Sequence, residues 1–405
     1  MKIRPFRAWR PAPDKAHLVA SRSYVEYAPE DLTAKLRSNP YSFLHIVHPD
    51  LGRDMHLTQA ERFRRVRKKF ESFCADRILK QDALPSLYIY QQDQDDHSSR
   101  GIICAVSVQD YRDGRIKVHE QTLTARETLF EKYLGTTGIN AEPVLLTSTD
   151  MPLLEATMDR VTLTRPELDL STTDRVRHRL WAINDVAHME EISACFSQLD
   201  ALYIADGHHR SASSARLAES TNATNNDPKA WCLAFIVPRA HLHIWNFDRA
   251  VTSLNGMDTA EFLSELSKVG SLSPLENVPT DQPAQGHVFV CTRQGWYELQ
   301  MPSPPVWATP ADALDPALLN TCVLAPVLGI QDLRTDPHIR FIPGTQGPAE
   351  LERMVKSGEA AAAFHLRPIS FEELKAVADS NGTMPPKSTY IEPKMRSGLT
   401  IYPLE

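Results

Sequence analysis

The chain has 405 residues, 42% of them hydrophobic and 23% charged, with a formal net charge of -7. That mixture is ordinary for water-soluble domains, the length exceeds what one compact core holds, and the acidic balance makes nucleic acid a poor first partner. No run approaches the roughly 18 apolar residues that span a bilayer, and the opening Met1-Lys2-Ile3-Arg4-Pro5-Phe6 lacks the apolar core of a signal peptide, so a cytoplasmic protein with no membrane attachment is expected.

Six dispersed cysteines with no Cys-x-x-Cys pair argue against a zinc ribbon, a redox pair or a disulfide framework. Pro29-Glu30-Asp31 leads into an amphipathic helix through Leu36. Ser42 to Val47 reads as a short buried strand. From Thr58 to Lys80, Phe63, Val66, Phe70, Phe73 and Ile78 recur at helical spacing, which predicts a surface helix with solvated arginines. Strands follow at Leu87–Tyr90, Ile102–Val106 and Ile116–His119, the last two joined by an Asp113-Gly114 hairpin turn. Val144–Thr147 and Arg179–Ile183 are further strands, and a helix runs from about Ala187 to Gln198. The strand Ala201–Ala205 runs straight into Asp206-Gly207-His208-His209-Arg210, which opens a helix reaching Glu219.

Trp231–Val237 is expected to pair with Leu242–Trp245 through a Pro238-Arg239 turn. The stretch 271–286 is rich in Ser, Pro and Gln and reads as a linker. It divides a main α/β lobe over 1–270 from a C-terminal α+β lobe over 271–405. The second lobe should hold a hairpin of Val288–Val290 with Trp296–Leu299, helices near Pro310–Leu319 and after Ser370, and an ordered closing loop, Met384–Ser397.

Chemistry concentrates at the Asp206–Arg210 segment. Asp206 stands where an N-cap belongs, and Gly207 lets the chain turn sharply out of the strand. Such a turn gathers unpaired amides and the positive end of a helix dipole, a combination that binds anions. His208, His209 and Arg210 add donors. Cations there oppose the dipole by roughly 0.3–1 kcal/mol each, so an anionic guest explains them better than stability does. The bland reading is a capped helix start with exposed polar residues. Zinc is the weaker alternative, since adjacent histidines point different ways and no Cys or Asp at ligand spacing completes a tetrahedral set.

Strand alternation puts Lys117, His119 and Gln121 on one face and leaves Glu120 ending the apolar face, where a carboxylate needs a partner or a task as general base or metal ligand. A fraying strand end in solvent explains it equally well. Lys387, Ser388, Thr389 and Lys394 concentrate phosphate-binding groups on loop-like chain, as an ordinary solvated tail also would. His241 and His243 share a strand face, for which surface packing outweighs metal binding. Gly-x-x-x-x-Gly-Lys-Ser/Thr, Gly-x-Gly-x-x-Gly and Gly-x-Ser-x-Gly are all missing from the sequence. P-loop hydrolysis, dinucleotide redox chemistry and α/β-hydrolase chemistry therefore lack support.

Arg4-Pro5-Phe6-Arg7-Ala8-Trp9-Arg10-Pro11, Lys117-x-His119-Glu120-x-Thr122, Ala205-Asp206-Gly207-His208-His209-Arg210, Leu254-Asn255-Gly256 and Met384-Pro385-Pro386-Lys387-Ser388-Thr389-Tyr390 together resemble the hypothetical proteins grouped as domain of unknown function 1015. The resemblance runs from end to end, and its Ala-Asp-Gly-His-His-Arg string is the most specific part. It implies a core like that of the ParB and sulfiredoxin group, which includes free serine kinases, and phosphorylation of L-serine with pyrophosphate. Two places depart from the pattern. Arg22–Tyr27 stands where relatives carry Pro-Pro-Tyr-Asp-Val, and Asp248-Arg249 where they often have His-Arg. If those positions touch substrate or metal, specificity or activity has shifted.

The sequence therefore reads as an α/β (α+β) protein of mixed sheets and packed helices, with a ParB/sulfiredoxin-like core and additional lobes. Its expected function is phosphoryl transfer from pyrophosphate or a nucleotide to a small hydroxylated metabolite, serine first. Glu120, Asp206 and His209 are the candidate catalytic groups. Gly207, His208, Arg210, Lys117, His119, Lys387, Ser388, Thr389 and Lys394 are the candidate phosphate contacts, with magnesium as the candidate cation and a homo-oligomer left open. The alternatives are a non-catalytic module for a phosphorylated ligand or a protein, and ParB-like nucleic-acid binding.

Overall fold

Long, uninterrupted apolar runs need cover on both faces of a sheet, and the chain supplies several. The computed structural model describes residues 1–24, 27–48, 57–94 and 97–405. It divides into two compact units, residues 1–117, 121–242 and 393–405 in the first and 118–120 and 243–392 in the second. The sequence placed a boundary after residue 270, whereas the units part between Leu242 and His243. The strand Phe247–Val251 explains the difference, because it pairs on both sides with strands of the second unit. The segment 393–405 returns to the first unit, where Tyr402 and Pro403 pair with Asn140 and Ile139.

The first unit is built on a mixed sheet of nine strands among the described residues. Their order is Ile116–Lys117, Leu202–Asp206, Val144–Ser148, Trp231–Pro238, His97–Ser107, Leu87–Gln94, Arg177–Ile183 and Leu168–Ser171, with Ile3–Arg4 beside His97–Ser107. One face is an apolar core in which Ile89, Ile102, Leu146, Ile204 and Ile236 meet Leu154 and Met158 of the Pro152–Thr162 helix and Ile192 and Phe196 of the Val186–Ser197 helix. Gly101 is required where two strands touch, since a Cβ there would lie 2.2 Å from the Ile236 carbonyl oxygen. A second core gathers Phe43, Ile46, Val66, Phe70 and Phe73 around the Gln59–Ala75 helix. Thr58 and Glu61 close the start of that helix with a reciprocal capping box.

The second unit holds a six-stranded antiparallel sheet in the order Ser271–Leu275, Gly295–Gln300, His287–Thr292, Ala362–His365, Phe247–Val251 and Ile339–Pro343. Alternate residues fill two cores. Val251, Val288, Val290 and Phe364 pack with Phe262 and Leu266 of the Thr259–Val269 helix. Ala250, Cys291 and Ala363 pack with Leu351 and Val355 of the Gly347–Ser357 helix. The mixed α/β class is thus observed, as are the helix from Pro29, the hairpin around Gln294 and the helix capped by Ser370.

Four local expectations fail. Ser42–Val47 is no strand; Ser42 Oγ accepts the Leu44 amide at 3.3 Å and Leu44–Val47 coils into a short helix. A short apolar run carries no period that separates the two outcomes. Asp113-Gly114 turns no hairpin, because Val108–Arg112 is helical and Ile116–Lys117 runs parallel to Leu202–Tyr203. Trp231–Pro238 pairs with His97–Ser107 and Val144–Ser148 instead of with Leu242–Trp245, and His243–Trp245 pairs with Tyr390–Glu392. The linker stretch begins as the edge strand Ser271–Leu275. Among the described residues no helix is long and apolar enough to cross a membrane, and the six cysteines are free thiols.

Candidate functional site

Leu202–Asp206 is apolar until its last residue, and the helix His208–Ser220 begins two residues later. Only one residue is left to reverse the chain, and Gly207 does so at φ 102°, a value L side chains rarely adopt. Gly207, not Asp206, is therefore the N-cap, which corrects the sequence assignment. Asp206 is freed for another use. A register shift between Ile204 and Asp206 accompanies the bend.

Asp206 Oδ2 lies 3.2 Å from Arg210 Nη2 and 3.3 Å from Lys394 Nζ, so two cations converge on one carboxylate. Burial would raise the Asp206 carboxyl, but Arg210 and Lys394 outweigh it and hold the group down at about 2. Arg210 folds back over the glycine and gives a second guanidinium bond to the Pro143 carbonyl. A Cβ on Gly207 would sit 2.9 Å from Arg210 Nε. Gly207→Ala is expected to cost about 1–3 kcal/mol in left-handed strain and to push the guanidinium off Asp206. An unchanged urea midpoint would refute both.

The amides of Arg210 and Ser211 donate to the Gly207 carbonyl at 2.9 and 3.1 Å, so two donors of the first turn are spent internally. His208 is buried and His209 half-buried. The His209 carbonyl accepts Ser213 Oγ at 2.5 Å, and the Arg210 carbonyl accepts Ser214 Oγ at 3.0 Å. The corner thus offers side-chain cations more than bare amides.

A carboxyl depressed by ion pairs adds stability that is complete above its unfolded value near 3.8 and fades as pH falls toward about 2. Between about pH 5 and pH 3 the wild type is expected to lose urea resistance faster than Asp206→Asn, which has no such carboxyl to titrate. Equal slopes would show that the two ion pairs hold nothing.

Behind Lys394 the chain is anchored. Its carbonyl accepts Gln92 Nε2 at 3.1 Å. Arg396, buried, pairs with Asp174, which also receives Arg22 at 2.6 Å. His178 sits 2.8 Å from the Tyr90 hydroxyl and 3.4 Å from Arg396 Nε. Burial first, then Arg396, pushes the imidazole down to about 3, so it is neutral at pH 7. The departure at Arg22–Tyr27 thus includes a structural ion pair, while Val25 and Glu26 lie outside the described residues.

Beside Arg210, a cavity of about 660 Å³ opens in the first unit, with Tyr24, Phe63, Phe130 and Tyr133 among its walls and Asn140, Glu142 and Ser213 among its polar lining. Sequence reasoning missed it. Phe63 sits at the helical spacing of a core residue, and nothing in that spacing tells a core position from a wall.

Lys117 lies on the first unit's edge strand, in register with Tyr203. The strand stops there, so the alternation that ranked Lys117, His119 and Gln121 together and singled out Glu120 does not apply. His119 and Glu120 belong to the second unit, where the His119 carbonyl accepts the Met384 amide at 2.9 Å. In the same unit Lys387 holds its ammonium 5.0 Å from the Phe247 ring centre and Ser388 Oγ donates to the Pro385 carbonyl at 2.8 Å, with Thr389 next to it. His241 lies in a turn before the strand, 3.0 Å from Glu155, so it shares no strand face with His243.

The family model described as protein of unknown function (DUF1015) matches residues 3–317. No curated protein matches the chain. Among solved structures, a free serine kinase mutant in complex with ADP is 13% identical at a TM-score of 0.38, over 74% of this chain and 92% of that one. SbnI with a C-terminal truncation from Staphylococcus aureus is 12% identical at 0.38, over 75% and 87%. A conserved hypothetical protein from Pyrococcus furiosus is 14% identical at 0.38, over 75% and 95%. Likenesses this distant assign no role to any residue.

Proposed function

The chain belongs to the family described as protein of unknown function (DUF1015), a membership that assigns no activity, and we propose that it is a phosphotransferase acting on a small hydroxylated metabolite, with serine the acceptor to test first. One observation carries the reading: Arg210 and Lys394 meet at a single carboxylate, beside a glycine turn that opens a helix. Two cations against one anion leave the corner a formal positive charge in excess, which a phosphate would balance. Phosphoryl transfer rests mainly on positioning and charge neutralisation, so fixed cations are the chemistry it needs.

In this reading Arg210 and Lys394 hold the phosphoryl group, and Asp206 positions both. The phosphorus–oxygen bond to the donor breaks with its electron pair leaving on the donor phosphate. A bond forms to the acceptor's hydroxyl oxygen, whose proton goes to a base. An Asp206 carboxyl held near 2 and already neutralised by two cations is a poor base, and it is a poor magnesium ligand as it stands. No step is therefore routed through a metal there. His208 and His209 open the helix after Gly207 and stand as helpers of the corner, while a phosphate contact by Lys117 rests on the sequence alone. The base role of Glu120 and the phosphate contacts of His119, Lys387, Ser388 and Thr389 remain proposals from sequence, each testable by single substitution. Phosphorus NMR on the full chain with L-serine and either pyrophosphate or ATP should show phosphoserine. Binding of a phosphate species without turnover would identify a sensor instead.

A further inference from the structure

Inorganic pyrophosphate needs only the charged corner, and an acceptor as small as serine leaves most of the large cavity beside Arg210 unfilled. We propose that this cavity binds the nucleoside of a nucleoside triphosphate whose phosphates run to Arg210, an inference that rests on the phosphotransferase reading and names its donor. The volume, about 660 Å³, falls within the roughly 300–1,000 Å³ of small-molecule sites. Its walls carry four aromatic rings, of which Phe63 and Tyr133 meet edge-to-face at 5.4 Å. Such rings suit a planar base, with stacking worth about 1–3 kcal/mol per base.

Three polar residues of the lining stand close along the chain to Arg210 or to the carbonyl it bonds. Asn140 and Glu142 precede Pro143, whose carbonyl receives Arg210. Ser213 stands one helical turn beyond Arg210. A ribose and a base edge can bond to an amide, a carboxylate and a hydroxyl, whereas a hydrocarbon ligand would desolvate the carboxylate and give nothing in return. One guanidinium thus joins an aromatic chamber to the cationic corner, the sequence of chemistries along a nucleotide. On transfer the terminal phosphoryl group goes to the acceptor's oxygen, and the nucleoside diphosphate is what remains to leave the cavity.

The test is calorimetric titration of the full chain with ADP, adenosine and inorganic pyrophosphate, in the wild type, Phe130→Ala, Leu129→Trp and Arg210→Gln. The Phe130 ring is 36% exposed, so its removal spares the fold, and Leu129 also lines the cavity, where the larger ring would fill it. ADP should bind at least about tenfold more tightly than pyrophosphate, by the stacking of its base. Phe130→Ala and Leu129→Trp should each weaken ADP about tenfold and leave pyrophosphate unchanged, while Arg210→Gln should weaken both. Pyrophosphate binding with ADP and adenosine silent would overturn the nucleoside site and leave the phosphotransferase reading standing. ADP binding indifferent to both cavity variants would overturn it as well. If neither phosphate compound binds, the phosphotransferase reading itself falls.

Discussion

Arg210→Ala is expected to lower phosphoryl transfer by on the order of a thousandfold, the scale at which a positioned cation acts on phosphoryl charge. The guanidinium touches Asp206 and the Pro143 carbonyl and lines the cavity, so its loss removes the fork that fixes the phosphate and leaves Lys394 as the corner's cation. Arg210→Lys keeps the charge without the planar fork and should recover only a small part of the rate. A merely structural arginine gives a different pattern. Both variants would then lower the unfolding midpoint and leave the turnover of whatever protein remains folded. Phosphorus NMR rates, normalised to folded protein by circular dichroism, separate the two cases, and wild-type turnover in Arg210→Ala would remove the corner from the mechanism.

The strand, turn and helix that build this corner were legible because each rests on neighbours in sequence. An apolar strand ends at a charged residue, a glycine supplies the left-handed turn, and the helix follows. What was illegible depends on partners far along the chain. No local pattern brings Lys394 to Asp206, and none tells Trp231–Pro238 to run parallel to Val144–Ser148. Two apolar runs with a proline turn between them looked like a hairpin because hairpins are the local solution, and the sheet chose a distant one. The cap differs for a related reason: an aspartate before a glycine suits an N-cap by local pattern, but the glycine itself takes that position. The cavity stays hidden because Phe63 obeys the same periodicity as the core residues of its helix, and Tyr24, Phe130 and Tyr133 come to it from other segments of the chain.

Asp248→Ala is expected to destabilise the second unit by about 3–5 kcal/mol, the cost of breaking a buried charged network from one side. Sequence comparison left open a substrate role for this position. The structure places it in the fabric of the sheet instead: Asp248 and His365 are 0% and 1% exposed. The carboxylate takes His365 Nδ1 at 3.0 Å, the Leu366 amide at 3.1 Å and Asn246 Nδ2 at 2.5 Å. Alanine would leave three buried donors with no acceptor, each a penalty of about 1–3 kcal/mol that local relaxation reduces only in part. The next residue sharpens the case. Arg249 is fully buried, its Nε and Nη2 have no hydrogen-bond partner among the described residues, and burial pulls its guanidinium down to about 10. Asp248 is the charge that opposes this shift, so removing it leaves the buried cation beside it uncompensated. Asp248→Asn, which keeps one acceptor oxygen, should cost less than alanine. Hydrogen exchange at the paired amides of His287–Thr292 and Gly295–Gln300 reads the second unit directly. Protection there should fall in Asp248→Ala while the Leu202–Asp206 strand keeps its own. Undiminished protection together with lost turnover would return Asp248 to the substrate.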